Sequence, residues 1–273
     1  MKLSFSTLAC PAWTMPQIIA MASAQGYDGI ELRYVEGEDS LWKLPAFSGT
    51  GLAAAKRALS DRSLVISCLD TSCRFHSPDE EERKRWLTEG ERMAELAAQL
   101  GAPGLRVFGD TIQPGAGRDS TRSWVAESIQ KLSVISEPTG VEVWLETHGD
   151  FASARETATI LAQSASRRVG AVWDPANAFI LSNEQPSEGA AVLEDAIRHV
   201  HIKDLRRRGT DWHYVLTGDG EFPLLELLAV LDRLQYDRFL SFEWEKKWHP
   251  EIADADVALP HFANWFRKAN AHA

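Results

Sequence analysis

Short apolar runs rich in β-branched and aromatic residues alternate along this chain with longer stretches whose apolar residues recur every three or four positions. The short runs predict strands at Lys2–Leu8, Gly29–Arg33, Leu64–Asp70, Gly104–Phe108, Val141–His148, Val169–Asp174, Arg198–Asp204 and Phe239–Trp244. The longer stretches predict amphipathic helices, clearest at Asp79–Leu100, Ser120–Glu137, Ser153–Gln163, Leu224–Leu234 and Asp256–Lys268. In the first of these, Trp86, Met93, Leu96, Ala97 and Leu100 fall on one face, Pro78-Asp79 marks a start and Gly101 an end. Eight strand–helix units in 273 residues predict an α/β fold, a single (β/α)8 TIM barrel over residues 1–273 with its site at the C-terminal ends of the strands. No linker-like stretch divides the chain; Gln113–Gly117 is a loop. The alternative, a doubly wound sheet, would carry a GxGxxG turn after its first strand, and none is present. Gly218-Asp219-Gly220 reads as a turn.

The last four predicted strands each end on a metal-ligand type of residue. These are Glu146 in VEVWLETHGD, Asp174 in VGAVWDPANAF, His201 in IRHVHIKDL and Glu243 in RFLSFEWE. Taken singly, each has a structural explanation: an exposed strand end, a turn or helix cap, a core histidine, a partner for Lys246. As a set, three carboxylates and an imidazole suit one hard or borderline divalent cation, Mn²⁺ first, with Mg²⁺, Co²⁺ or Zn²⁺ also suited. No pair sits at i, i+4 on a helix, so the fold must assemble the site from four strands. Residues two apart on a strand share a face, which places His148 beside Glu146 and Lys203 beside His201 and His199. His148 and Lys203 are therefore candidates for contacts to substrate, and His199 for support inside the barrel. Glu31 and Arg33 end the second strand and reach the mouth or form an ion pair. Arg106 reads as a surface residue with an anion contact as the alternative.

Charge and composition narrow the partners. The net charge is −10 and no long basic run appears, Arg206–Arg208 being only a triplet, so the sequence offers little of the cationic footprint of a nucleic-acid binder. No apolar run approaches the ~20 residues of a membrane span, and the N-terminus enters a strand pattern with no signal-peptide character. Cys10, Cys68 and Cys73 form neither a CxxC nor an even framework, which predicts reduced core thiols and a cytoplasmic protein. Trp244, Trp248, Trp265 and Phe266 suit either the packing of the last helix or a contact in a homo-oligomer.

The motifs LETHGD, WDPAN, HVHIKD, VLTGDGEFPL and SFEWEKKWHPE, in this order, with LGAPGLRVFGD on the fourth strand, resemble the xylose-isomerase-like TIM-barrel superfamily, in particular its sugar phosphate isomerase/epimerase branch. The resemblance runs from Ser4 to about Trp265. It implies one divalent metal held by Glu146, Asp174, His201 and Glu243, the same four residues. It also implies an isomerase or epimerase acting on a sugar, sugar phosphate or related polyol or keto acid through an enediolate, with Glu146 and Glu243 as the catalytic acid and base. Asn177 stands where relatives often carry a histidine; it is a candidate for hydrogen bonding a substrate hydroxyl.

Three other functions use the same features. A dehydratase of the inosose or dehydroshikimate kind shares the metal and the proton abstraction but expels a hydroxyl. A nuclease of the AP-endonuclease type would share the element Asp211-Trp212-His213, but needs histidines on earlier strands that are not in place. A non-catalytic sugar-binding barrel would lack only turnover.

Overall fold

The strands predicted from the apolar runs all form, most of them shorter than predicted. The computed structural model describes residues 1–270, and these divide into two compact units, 1–67 with 200–270, and Cys68–His199.

In the first unit, β1 (Lys2–Ser6) pairs in parallel with β2 (Gly29–Leu32) on one side and with the last barrel strand (Phe239–Phe242) on the other. That last strand pairs in turn with the strand Ile197–Ile202. In the second unit, β3 (Val65–Arg74), β4 (Gly104–Phe108), β5 (Glu142–Glu146) and β6 (Val169–Trp173) run parallel in sequence order. Numbering on in chain order, β7 is Ile197–Ile202, β8 Asp204–Arg208, β9 Asp211–Val215 and β10 Phe239–Phe242. The strand order is that of a closed barrel, β1-β10-β7-β6-β5-β4-β3-β2, with helices alternating between the strands.

Helix boundaries follow local chemistry. The helix Glu80–Leu100 starts where the Asp79 carboxylate accepts the Glu81 N–H at 2.9 Å and stops at Gly101, whose φ of 75° suits a residue without Cβ. Inside the second unit the strand alternation builds layers. Cys68, Trp144 and Val172 pack together, all buried. Gly104 is required there, because a Cβ at that position would enter the Trp144 indole. One step further along the strands, Asp70 is in register with Arg106, and Phe108 with Glu146. Polar side chains therefore replace apolar ones toward the C-terminal strand ends.

Pro175–Ser182 and Pro186–Leu193 are short helices that were not among those predicted. β8 and β9 form an antiparallel hairpin turned at Gly209-Thr210, with Leu205 opposite Tyr214 and Arg206 opposite His213. Asp204 fixes the base of that hairpin: its carboxylate accepts the N–H groups of Leu205, Gly218 and Gly220 at 2.8–2.9 Å. A Cβ at Gly220 would run into the same carboxylate, so this turn needs glycine. Among the described residues no helix is long and apolar enough to cross a membrane. The C-terminal aromatics divide: Trp244 and Phe266 are buried, whereas Trp248 is 53% exposed and meets Tyr34 edge-on at 5.9 Å.

Candidate metal centre

Glu146 ends β5, and its carboxylate is buried against a cation. Arg106 on β4 places Nη1 3.3 Å from Glu146 Oε2 and Nη2 3.1 Å from Asp70 Oδ2. The guanidinium lies 4.0 Å over the Phe108 ring and is 2% exposed. The expected surface role for Arg106 is thus corrected. Its position in the strand alternation points it inward, and two carboxylates offset its desolvation.

Asp174 follows β6 and caps the helix Pro175–Ser182, accepting the N–H groups of Ala176 and Asn177 on Oδ1 at 3.0 and 3.1 Å. The Asp-Pro sequence explains this: proline at the first helical position has no N–H to satisfy, and the carboxylate takes the next two. The cap engages Oδ1 and not Oδ2. Thr147 ties this corner to β5, its Oγ1 accepting the Asp174 N–H at 2.7 Å, and Asn177 Nδ2 donates to the Thr147 carbonyl at 3.1 Å. Asn177 is buried.

In the other unit, His201 near the end of β7 has Nε2 3.2 Å from Glu31 Oε2 and Nδ1 3.5 Å from Glu243 Oε1. Lys203, 1% exposed, places Nζ 2.7 Å from Glu243 Oε2 and 2.7 Å from Glu245 Oε1. Tyr214 from the hairpin donates its hydroxyl to Glu245 Oε1 at 2.5 Å. Burial, the largest effect on the Tyr214 phenol, pushes its pKa up, so it stays a donor. Lys246 pairs with Asp254 and not with Glu243.

Glu146, Asp174, His201 and Glu243 are all buried, and one ligand atom from each lies within 4.8 Å of the others. Three buried carboxylates with an imidazole form a donor set for a divalent cation. Arg106 and Lys203 counter two of the carboxylates and a helix N-terminus the third, which still leaves the cluster electron-rich. The residues therefore fit a bound divalent metal, whose charge would repay their desolvation.

Beyond the strand ends of the second unit stands a polar rim. Asp110 Oδ1 is 3.2 Å from His148 Nδ1, while Asp110 Oδ2 is 3.4 Å from Arg74 and 3.9 Å from His76 Nδ1. His148 tilts against Phe108 at 4.8 Å and keeps 41% of its side chain exposed. Burial pulls the Asp110 carboxyl upward. The His148 hydrogen bond and the charges of His148, Arg74 and His76 outweigh it, so the net shift is down. Burial pushes His76 down, against the pull of Asp110. Both depressed groups bind fewer protons folded than unfolded. Their stabilisation is present above the unfolded values and is lost as pH falls, first through the depressed His76 value below 6.5 and then through that of Asp110 below 3.8. Urea unfolding at stepped pH from 7 to 5 should therefore show falling stability, and His76→Gln should flatten that slope; an equal slope in the variant would contradict it.

Sequence reasoning missed Glu245, Tyr214, His76 and Asp110. Glu245 was findable, two residues after Glu243 in Glu-Trp-Glu. Tyr214 required the hairpin, signalled by Gly209-Thr210 between two strand-like runs. His76 and Asp110 lie on irregular backbone, Asp110 at φ 57°, where no periodicity reports direction. Asp211 and His213, the nuclease-like element, are both exposed on β9 and outside the quartet.

The sequence profile of the xylose isomerase-like TIM barrel matches residues 19–268. The chain belongs to this family. No curated protein matches it in sequence. Solved structures agree on the xylose isomerase-like fold. The 3-keto-D-glucoside 4-epimerase of E. coli superposes with a TM-score of 0.79 at 17% identity, over 99% of each chain. The probable 3-DHS dehydratase AsbF of Bacillus anthracis gives 0.78 at 17%, over 98% of this chain and 99% of its own. The IOLI protein with a binding zinc atom gives 0.81 at 17%, over 100% and 97%.

Proposed function

We propose that this protein is a divalent-metal-dependent isomerase or epimerase of a sugar, sugar phosphate or related polyol or keto acid, acting as one domain. The observation that carries the reading is the buried quartet of Glu146, Asp174, His201 and Glu243. These four would hold the metal, which when bound supplies Lewis acidity and a fixed pole for adjacent carbonyl and hydroxyl oxygens. Glu146 and Glu243 then serve as acid and base: one removes the proton next to the substrate carbonyl, the other returns a proton to the resulting enediolate. Arg106 holds Glu146 and Lys203 holds Glu243, which keeps both carboxylates in fixed orientations. His148, Asn177 and Lys203 are proposed to meet the substrate hydroxyls or its anionic group, His148 being the partly exposed member at the rim. The epimerases among the similar structures support this reading.

A second reading is favoured by one contact. The Lys203 ammonium, 2.7 Å from Glu243, places a proton donor beside a carboxylate, and a dehydratase needs such a donor at its leaving hydroxyl. The likeness to a probable dehydratase accords with it.

Mn²⁺ is the first metal proposed, with zinc the alternative suggested by the IOLI protein. Residence in the cytoplasm is supported by three buried, unbridged cysteines, and a homo-oligomeric contact by the exposed Trp248. Metal analysis tests the core of the proposal. Dialysed protein reloaded with Mn²⁺, Co²⁺ or Zn²⁺ should retain about one ion per chain, and Asp174→Ala should lose it. No retained metal would refute the reading, and two or three ions per chain would return attention to the nuclease. A keto product lacking one water would decide for the dehydratase.

A further inference from the structure

The quartet leaves Glu31 unused, although it is a fully buried carboxylate that meets one of the four. Glu31 lies on β2 and His201 on β7, and within this unit β1 and β10 stand between them. The register explains how the two side chains meet. Ser6 is aligned with Glu31, Ser4 with Ser241, and Ser241 with His201. Aligned residues of parallel strands, and residues two apart on one strand, share a face. Ser4, Ser6 and Ser241 therefore lie on the same side as Glu31 and His201, and all three are fully buried. Larger side chains at these positions would fill the space the carboxylate crosses.

The contact uses one ring nitrogen and spares the other. Nε2 lies 3.2 Å from Glu31 Oε2, while Nδ1 lies 3.5 Å from Glu243 Oε1 on the side of the quartet. A neutral imidazole has one N–H and one lone pair. A carboxylate at Nε2 accepts an N–H there, which leaves the lone pair on Nδ1.

The geometry points to Glu31 as a positioning residue that fixes His201 in the Nε2–H tautomer and so presents Nδ1 as the metal-binding atom. Its carboxylate also makes the imidazole a stronger donor and resists rotation of the ring. This inference rests on the metal reading proposed above. It adds a fifth residue, from the other end of the sequence, and assigns the coordinating nitrogen.

The tautomer can be read with Glu31 left in place. Long-range ¹H–¹⁵N correlation spectra of ¹⁵N-histidine-labelled protein distinguish the two neutral forms, and His201→Gln identifies the signal among the eight histidines. The Nε2–H pattern is expected in metal-free protein at pH 8, and the Nδ1–H pattern would overturn the proposal. Metal affinity is then measured by chelator competition with Mn²⁺ and Zn²⁺ for wild type, Glu31→Gln and Glu31→Ala. Glu31→Ala should bind about 10–100-fold more weakly and show mixed tautomers. Glu31→Gln, whose amide oxygen still accepts the N–H, should recover most of the affinity. Equal affinity in wild type and Glu31→Ala with an unchanged tautomer refutes the inference while leaving the metal reading intact. Absence of binding in wild type refutes the metal reading instead. A second ion per chain, lost in Glu31→Ala, overturns the positioning role by making Glu31 a ligand.

Discussion

Glu146→Gln and Glu243→Gln should each slow exchange of a ketose's Cα proton with solvent by about 10²–10⁴-fold, the usual worth of a positioned general acid or base. The amide keeps the shape of the side chain and an oxygen for the metal but cannot accept the proton. Exchange followed by NMR in ²H₂O with saturating metal isolates the chemical step from metal occupancy. Substrate affinity should change far less than the rate, because the loss falls on the transition state. Asp174→Ala provides the contrast: its loss of activity should track loss of metal, and adding metal should restore part of it. Unchanged exchange in both glutamine variants would remove the acid/base assignment without touching the metal reading. A defect in only one would mean that a single carboxylate shuttles the proton.

The barrel and the quartet were legible because both rest on periodicity. Strand ends announced themselves where an apolar run met Glu146, Asp174, His201 or Glu243. The residues that tune these groups were less legible. Arg106 lies in the middle of an apolar strand, LRVF, where a lone arginine reads as an exposed edge. The facing carboxylates of Asp70 and Glu146 explain its burial, and neither is near it in sequence. Glu31 has the same difficulty, since its partner His201 comes 170 residues later. Lys203 was placed on the correct face by the two-residue alternation, but its partner Glu245 follows the end of β10, where the strand pattern had stopped. Asp110 and His76 gain their meaning from loop geometry. Sequence pattern reports which way a side chain leaves a strand, whereas pairing of buried charges depends on what other strands bring to the same place.

Arg106→Met should destabilise the metal-free protein by about 3–5 kcal/mol, the cost of leaving buried carboxylates without their cation. Methionine fills much of the arginine stem's volume and keeps contact with Phe108, so the loss reports charge rather than a cavity. Urea unfolding in the presence of a chelator measures it. Adding Asp70→Asn to Arg106→Met should recover part of the loss, since one of the two stranded charges is then neutral; the two sites touch, so their effects will not add. The same substitution bears on the metal. Removing a cation 3.3 Å from Glu146 raises the negative potential at the quartet, so a divalent ion should bind Arg106→Met more tightly than wild type. A ligand that binds only the folded state stabilises it in proportion to the logarithm of its concentration over its dissociation constant. Saturating Mn²⁺ should therefore raise the stability of Arg106→Met by more than it raises that of wild type. Equal gains would mean that Arg106 does not share its field with the metal. A loss under about 1 kcal/mol in the metal-free variant would mean that Asp70 and Glu146 are not ionised together, and the charge balance argued for the centre would have to be redrawn around a protonated carboxylate.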